Sequence, residues 1–390
     1  MAINKKEIIY FLPDSDAGVT SVIRNLLKYR KKSDIYYKVI LTRLIEKEAV
    51  YVKTELDTDE QITFTYSKYE NLYSVCKRLK QYISSSESVL VSNDGLELRM
   101  VQLLKLKNPL VYIMHGDFKY YYGLIEQNQG VIDRYIVISK ILHANVIKAL
   151  KSENRAKLFL EYFPVPEVTQ NIQRLKDIDL LFVGSFNERK GVQFLFSIFK
   201  AIQIQFPDVN FSLIGSGELD AELREEFITE SNVNFLGQLP SDDVSLKMQQ
   251  SKILLFPSLV EGLPNVVVEA MKSKSVCICS DLPSGIPDLV DDSITGFKIS
   301  IGDIKGFSDR AIDLLENKDK RNEIAYNAYN KAVEMFQPNK NADKYENLII
   351  STKSQNKIYS NKTLGGILNQ PYMPNVLVKM IRKLNLSPKL

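Results

Sequence analysis

The sequence predicts two doubly wound α/β domains in series, and three observations carry that prediction. Short β-branched and aromatic runs alternate with helix-length amphipathic stretches almost from end to end, the pattern of a parallel sheet covered on both faces. The alternation breaks once, at Pro164-Val165-Pro166 and the polar stretch up to Asp179, and restarts at Leu180, which marks a domain boundary. The chain has 390 residues, enough for each half to bury its own core.

In the first half, strands are expected at 7–12, 37–41, 62–66, 89–92, 110–114, 135–138 and 157–163, with helices at 20–31, 69–83 and 139–151. In the second, strands are expected at 180–183, 210–214, 233–236, 253–256 and 275–280, with one helix starting at Gly191 and another near 265–272. The expected division is 1–166, 167–338, a helix at 339–352 crossing back to the first domain, and a basic tail at 353–390. Ligands of such sheets bind outside the carboxyl ends of the strands, so the functional residues should follow strands, in a cleft between the domains.

Composition narrows the function. The apolar share is 45% and the charged share 25%, values of an ordinary globular protein. The net charge of +4 is unevenly placed. Seven Lys or Arg and no acid lie between Ser351 and Leu390, and subtracting these seven leaves residues 1–350 at −3. Nucleic-acid binding by the body is therefore disfavoured. Three cysteines, Cys76, Cys277 and Cys279, lack the partners of a zinc or redox site and read as core thiols in a reducing compartment. Lys5 and Lys6 precede only a short apolar run closed by Asp14 and Asp16, unlike a secretory signal. No stretch approaches the ~20 apolar residues of a membrane span. The expected location is the cytoplasm.

Two segments carry chemistry. The first, Gly184-Ser185-Phe186-Asn187-Glu188-Arg189-Lys190-Gly191, reads as a strand end, a glycine turn and a basic pair at a helix entrance. Unpaired amides and the helix dipole attract anions there, and Arg189 and Lys190 would neutralise a diphosphate. An ordinary turn with a solvated basic pair fits this segment equally well. The second places Glu261 and Glu269 eight residues apart around Gly262-Leu263-Pro264. Amides of Leu263, Pro264's neighbour Asn265 and Val266 would point at an anion, Glu269 would accept bonds from ribose hydroxyls, and Glu261 would face the sugar.

Glu261 through Glu269 resembles the E-x7-E motif of the retaining family 4 glycosyltransferases of GT-B fold. Pro257, Ser258, Glu261, Gly262, Leu263, Pro264, Glu269, Ala270 and Met271 match the form common in that family. The loop from Gly184 to Gly191 resembles its diphosphate loop, and the strand-end segments at Leu213-Ile214-Gly215-Ser216-Gly217-Glu218 and Val233 to Gly237 resemble its next two. The resemblance is strong over about 180–300 and weaker over 8–163. It implies a GT-B fold and transfer of a sugar from a nucleoside diphosphate sugar, with retention of configuration, to a glycan or lipid-linked acceptor in cell-surface polysaccharide synthesis. It also implies phosphate binding by Lys190, ribose binding by Glu269, and a place at the donor sugar for Glu261. Ser185 stands where the family usually has Arg.

In the first half, His115 closes an apolar strand and is one of two histidines; the resemblance implies catalytic importance, and a packed histidine is the alternative. His143 reads as structural or exposed. Asp16-Ala17-Gly18-Val19 matches the family's glycine loop, with Gly18 alone of its two glycines. Tyr120, Tyr121 and Tyr122 line an acceptor path or pack. No metal or cofactor is expected: Asp14-x-Asp16 lies where the family holds none, and Asp57-Thr58-Asp59 reads as a solvated charge run. A sugar-nucleotide epimerase of the same fold and a catalytically silent sugar-nucleotide binder are the rival readings. Finally, Leu377, Met380, Ile381 and Leu384 fall on one side of a basic helix at 374–386, the pattern of a helix lying on an anionic membrane.

Overall fold

In the computed structural model, which describes residues 6–15, 18–31, 34–46, 55–168, 175–360 and 366–384, the first strand β1 (Lys6–Pro13) is buried without interruption from Glu7 to Leu12. Burial on both faces is what a central parallel strand requires. β1 pairs in parallel with β2 (Ile35–Leu44) on one side and β4 (Val89–Ser92) on the other. With β3 (Glu60–Tyr66), β5 (Leu110–Met114), β6 (Arg134–Val137) and β7 (Leu158–Leu160) they form a seven-stranded sheet ordered β3-β2-β1-β4-β5-β6-β7. Every pair in it is parallel. The connecting helices are α1 (Gly18–Tyr29), α2 (Leu72–Leu79), α3 (Leu96–Leu103), α4 (Lys119–Asn128) and α5 (Lys140–Ala149).

The second sheet repeats the plan. β8 (Ile178–Val183), β9 (Phe211–Ile214), β10 (Val233–Gly237), β11 (Ser251–Phe256), β12 (Val276–Ser280) and β13 (Phe297–Ile299) stand in the order β10-β9-β8-β11-β12-β13, again all parallel. Its helices are α6 (Leu195–Gln203), α7 (Asp220–Glu226), α8 (Ser241–Gln250), α9 (Asn265–Lys272), α10 (Ile286–Leu289), α11 (Ile304–Glu316) and α12 (Lys318–Met335). α6 presents Leu195, Ile198, Phe199 and Ile202 to the core with helical spacing. In each sheet the strand order reverses once, between β1 and β4 and between β8 and β11. Ligands of doubly wound sheets sit at the strand ends beside that reversal.

The first unit comprises residues 1–138, 142–164 and 339–390, and the second comprises 139–141 and 165–338. Where the chain enters and leaves the second unit, the buried Lys272 of α9 donates to Val165 O at 2.7 Å and to Phe336 O at 2.9 Å. After that, α13 (Pro338–Ser351) packs into the first unit: Ala342, Tyr345 and Ile349 are buried, and Tyr345 donates to Glu161 O at 2.9 Å.

The segment that follows is strapped to the first unit. Lys357 lies 2.6 Å from Asp133, both almost fully buried. Gln355 N donates to the same carboxylate at 2.9 Å, Ile358 N to Gly130 O at 2.8 Å, and Tyr359 to Leu106 O at 2.9 Å. Then α14 (Asn375–Lys383) docks on the entrance of α2. Asn71 N donates to Asn375 Oδ1 at 2.7 Å, the Asn71 side chain donates to Gln370 O and Met373 O, and Lys379 pairs with Glu70 at 3.0 Å.

Three expectations change. The helix expected from Gly191 begins at Leu195 instead: Gly191 adopts φ 72°, outside helical geometry, and a 3-10 turn covers Val192–Phe194. Asp57-Thr58-Asp59 is not simply solvated, because Asp59 accepts from Tyr37 N at 2.8 Å, Thr58 donates to Tyr37 O at 2.7 Å and Asp57 pairs with Arg30. Those bonds satisfy backbone groups at the start of β2. On α14 the buried apolar residue is Val378, whereas Leu377, Met380 and Leu384 are exposed and the basic Lys379 and Arg382 turn toward Glu70. Asp16, with Ala17 of the glycine loop, lies outside the described residues, as do 385 and 386 of the tail helix. The three cysteines are buried in the core. No helix among the described residues is long and apolar enough to cross a membrane.

Candidate active site

The loops that follow β8 and β11 flank the strand-order reversal of the second unit, and they are bolted to each other. Leu259 N donates to Arg189 O at 2.8 Å. Gly191 lies so close to Pro257 that a Cβ there would run into its carbonyl oxygen. Asn187 caps the short turn Glu188–Lys190 by accepting from Lys190 N at 3.1 Å. This turn fixes the backbone from which Lys190 reaches across.

Lys190 Nζ lies 2.6 Å from Glu261 Oε1 and 5.6 Å from the centre of the Phe256 ring. Arg189 approaches the same carboxylate oxygen at 3.4 Å and donates to Val260 O at 3.1 Å. Ser258, buried, donates to it at 2.7 Å. The motifs assign Lys190 and Glu261 separate tasks, phosphate and sugar; the fold joins them in one charge cluster. Arg189 is the outer member, 44% exposed against 17% for Lys190. Ser185 is exposed at the start of the same loop.

One helix turn beyond the loop, Glu269 stands on α9 and is partly exposed. Among the described residues no hydrogen bond or ion pair reaches its carboxyl. Burial of the surroundings pushes that carboxyl up to about 7. Leu263 is buried, Gly285 N donates to Gly262 O at 2.6 Å, and Pro264 O accepts from Val267 N at 3.1 Å. Asn265 and Val266 form the first turn of α9, where amides have no acceptor inside the helix. The loop is thus a shaped backbone rim next to Glu269.

Two glycines of these loops differ in what the protein's own packing asks of them. At Gly184 a Cβ would make only ordinary contacts, 3.4 Å from Phe182 and 3.8 Å from Lys190. Gly217 is required by internal packing, since a Cβ would strike the Phe186 backbone.

In the first unit, the strand ends of β4 and β5 build a second polar group. His115 Nε2 lies 2.7 Å from Asn93 Oδ1, and Asn93 Nδ2 donates to Phe11 O at 2.9 Å. Glu97 Oε1 accepts from Ser92 Oγ at 2.8 Å, Asn93 N at 3.1 Å and Asp94 N at 2.9 Å. Burial pushes the Glu97 carboxyl up to about 7 and the His115 imidazole down to about 3. His115 Nδ1 is shielded from solvent without a partner. Tyr120 is half exposed and donates to Asp94 at 2.8 Å; its ring lies 5.4 Å from that of Tyr121, and Tyr122 bonds Asp117. Gly18 opens α1 in open space, and His143 sits partly exposed on α5. Asp14 is held by Arg43. Among the described residues no three His, Cys, Asp or Glu side chains group as metal ligands.

Sequence reasoning missed Asn93 and Glu97 as site-building residues, and Ser258 and Asn187 as supports. The available signal was a polar run, Ser92-Asn93-Asp94-Gly95, directly after an apolar strand.

Two parallel-sheet α/β units, each with its polar residues at the strand ends beside the reversal, define the GT-B fold. Residues 167–331 match the family model of the glycosyl transferases group 1. An uncharacterized glycosyltransferase of Haemophilus influenzae is 24% identical over 264 residues, covering 65% of this chain and 73% of its own length. The UDP-Gal:alpha-D-GlcNAc-diphosphoundecaprenol alpha-1,3-galactosyltransferase of Escherichia coli is 31% identical over 148 residues, 37% of each chain. Among solved structures, Anabaena HepE in complex with UDP and glucose aligns with a TM-score of 0.69 at 16% identity, over 89% of this chain and 100% of that one. The fold and the matched segment together support a GT-B glycosyltransferase.

Proposed function

We propose that this chain transfers a sugar from a nucleoside diphosphate sugar, with retention of anomeric configuration, to a glycan or lipid-linked acceptor in cell-surface polysaccharide synthesis. The observation that carries the reading is the cluster of Lys190, Arg189 and Glu261 at the strand-order reversal of the second unit, with the unpartnered Glu269 one turn away. Cations there stabilise the charge that develops on a departing diphosphate. Glu269 takes the ribose hydroxyls, and Glu261 takes the sugar once Lys190 turns to phosphate. The bond from the anomeric carbon to the diphosphate oxygen breaks as the acceptor oxygen bonds on the same face. The acceptor proton passes to the leaving phosphate, so no resident cofactor or metal is needed. The Escherichia coli relative, named for a UDP-galactose donor and a diphosphoundecaprenol-linked acceptor, supports this substrate class.

A panel of nucleotide sugars with glycan and undecaprenol-linked acceptors tests this. Nucleotide release that requires acceptor, and a product whose anomeric configuration equals the donor's by NMR, are expected. Conversion of the donor sugar without acceptor would make the chain an epimerase, and binding without turnover a silent binder.

The reading extends to place. α14 and the residues before it expose Ile367, Tyr372, Val376, Leu377, Met380 and Leu384, in a stretch without acid whose Lys353 and Lys383 are exposed while Lys357, Lys379 and Arg382 bind the first unit. Such a surface suits the cytoplasmic face of an anionic membrane, where each basic residue contributes about 1 kcal/mol. Co-sedimentation of the full chain with phosphatidylglycerol vesicles, and its loss in a Leu377→Ser, Met380→Ser, Leu384→Ser variant, is the expected result. Equal pelleting of both forms overturns it.

A further inference from the structure

We propose that Tyr120 and the open notch at Gly123 form a subsite for a neutral pyranose ring of the acceptor glycan, contained within α4 and the loop after β4. The inference rests on the glycosyltransferase reading for its ligand and on the first unit alone for its geometry. Tyr120 is 53% exposed yet held in place. Its hydroxyl donates to Asp94 Oδ1 at 2.8 Å, and its ring lies 5.4 Å from that of Tyr121, tilted by 58°. Asp94 is held in turn, because its backbone amide donates to Glu97 Oε1 at 2.9 Å. Fixing a side chain costs rotamer freedom, and burial offsets little of that for a ring left half in solvent. A ring fixed in advance can bind a ligand without being ordered by it.

The glycines around this ring separate two kinds of demand. A Cβ on Gly95 would strike the Tyr120 hydroxyl, and one on Gly116 would strike the Phe118 ring. Those two are glycines because the aromatic cluster occupies their side-chain space. Gly123 differs. It lies inside α4, where glycine is among the poorest helix formers, and among the described residues a Cβ there would meet nothing within 4 Å apart from the helix itself. On the helix surface Lys119 and Tyr120 lie one turn before it and Glu126 and Gln127 one turn after, and all four are exposed. The result is an opening beside an aromatic face, with an ammonium, a carboxylate and a carboxamide at its rim. The C–H groups on one face of a pyranose carry slight positive charge, which suits the negative face of an aromatic ring. Its hydroxyls lie around the edge, where side chains of this kind donate and accept. Donor phosphate and ribose are assigned above to residues of the second unit, so the sugar of this subsite is the acceptor's.

Saturation-transfer NMR on the full chain, with no donor present, reads the subsite directly. The probes are the methyl α- and β-glycosides of glucose, galactose, N-acetylglucosamine and N-acetylgalactosamine. At least one is expected to take up saturation, strongest on the protons of one ring face; no uptake by any of them overturns the proposal. Tyr120→Ala and Gly123→Leu are expected to abolish the signal, and Tyr120→Phe, which keeps the ring, to retain it. Glu269→Gln, in the second unit, is expected to leave it unchanged, and its loss there overturns the placement. An unchanged signal in Gly123→Leu overturns the notch. Leucine is the better helix former, so Gly123→Leu is expected to melt at or above the wild-type temperature; a lower melting temperature would show that the chain itself fills the notch, and overturns it as well. In turnover, Tyr120→Ala and Gly123→Leu are expected to raise KM for the acceptor about tenfold or more while kcat stays within about threefold. A loss confined to kcat overturns the binding role. Nucleotide release that never depends on an acceptor would count against the glycosyltransferase reading and leave the glycoside result standing.

Discussion

Lys190 is held by one carboxylate and one aromatic face, and is itself partly exposed. Lys190→Ala should reduce transfer by about 10²–10³-fold, the loss seen when one transition-state charge stabiliser is removed. The fold should survive, because Glu261 keeps Ser258 and Arg189; a thermal melt alongside kcat checks both. Glu269 makes a pH prediction. Its carboxyl titrates at about 7 in the free chain, and ribose hydroxyls favour the carboxylate. Affinity for a nucleotide sugar, whose diphosphate does not titrate in this range, should therefore weaken as pH falls below 7, by at most about tenfold per unit. Titration calorimetry in buffers of different ionisation enthalpy should show proton release at pH 6, and Glu269→Gln should abolish it. Glu97 carries the stability counterpart. Its folded value is raised above the ordinary carboxylate range, so its contribution is full below about 4.5 and is lost as pH rises through about 7. Glu97→Gln should flatten that loss in denaturation curves measured from pH 5 to 8.

At the scale of elements, the strands were legible because a parallel strand buried on both faces reads as an unbroken apolar run, as in Ile8 to Leu12 and Ile253 to Phe256. β13 was not legible, its Phe297-Lys298-Ile299 offering two apolar residues around a charge rather than an apolar run. The loops show the same divide. Lys190 and Glu261 could be read from their motifs, but their meeting at 2.6 Å depends on two loops being bolted by Gly191 and Pro257. Asn93 and Glu97 carried no motif; their roles come from β1 and β5 lying beside β4 and beyond it. The glycines give a paired prediction. Gly191→Ala must accommodate φ 72° and a collision with Pro257 O, and should cost on the order of 1–3 kcal/mol or more. Gly184→Ala, with room for a Cβ, should cost within about 1 kcal/mol in the same urea titration.

For the whole molecule, the tail was the least legible part. In the sequence Lys357 is one of seven basic residues of the tail, but its partner Asp133 is far away in sequence and both are buried. Ending the chain at Ser351 removes Lys357 and leaves Asp133 with the Leu110 amide as its remaining contact at 2.9 Å. Breaking a buried pair in this way costs about 3–5 kcal/mol. The shortened chain should unfold in two steps in urea, with the first unit melting earlier than in the full chain. A single unshifted transition would count against the strap as a stabilising element.

The strap also gives the molecule a timetable. The second unit is a nearly continuous run, 165–338, whereas the first is assembled from 1–138, 142–164 and 339–390. During synthesis, which adds about 5–20 residues per second, the sheet made first must wait for residues made after the second unit. Tyr345 of α13, buried to 0% exposure, and the Lys357–Asp133 pair reach it only after the whole of the second unit has been made. The later sheet can therefore close while the earlier one is still incomplete, reversing the usual amino-to-carboxyl sequence of folding. Stalled nascent chains of increasing length, challenged with protease, should show 165–338 protected before 6–164. α14 would then be set in place after both sheets, fitted only onto a finished first unit.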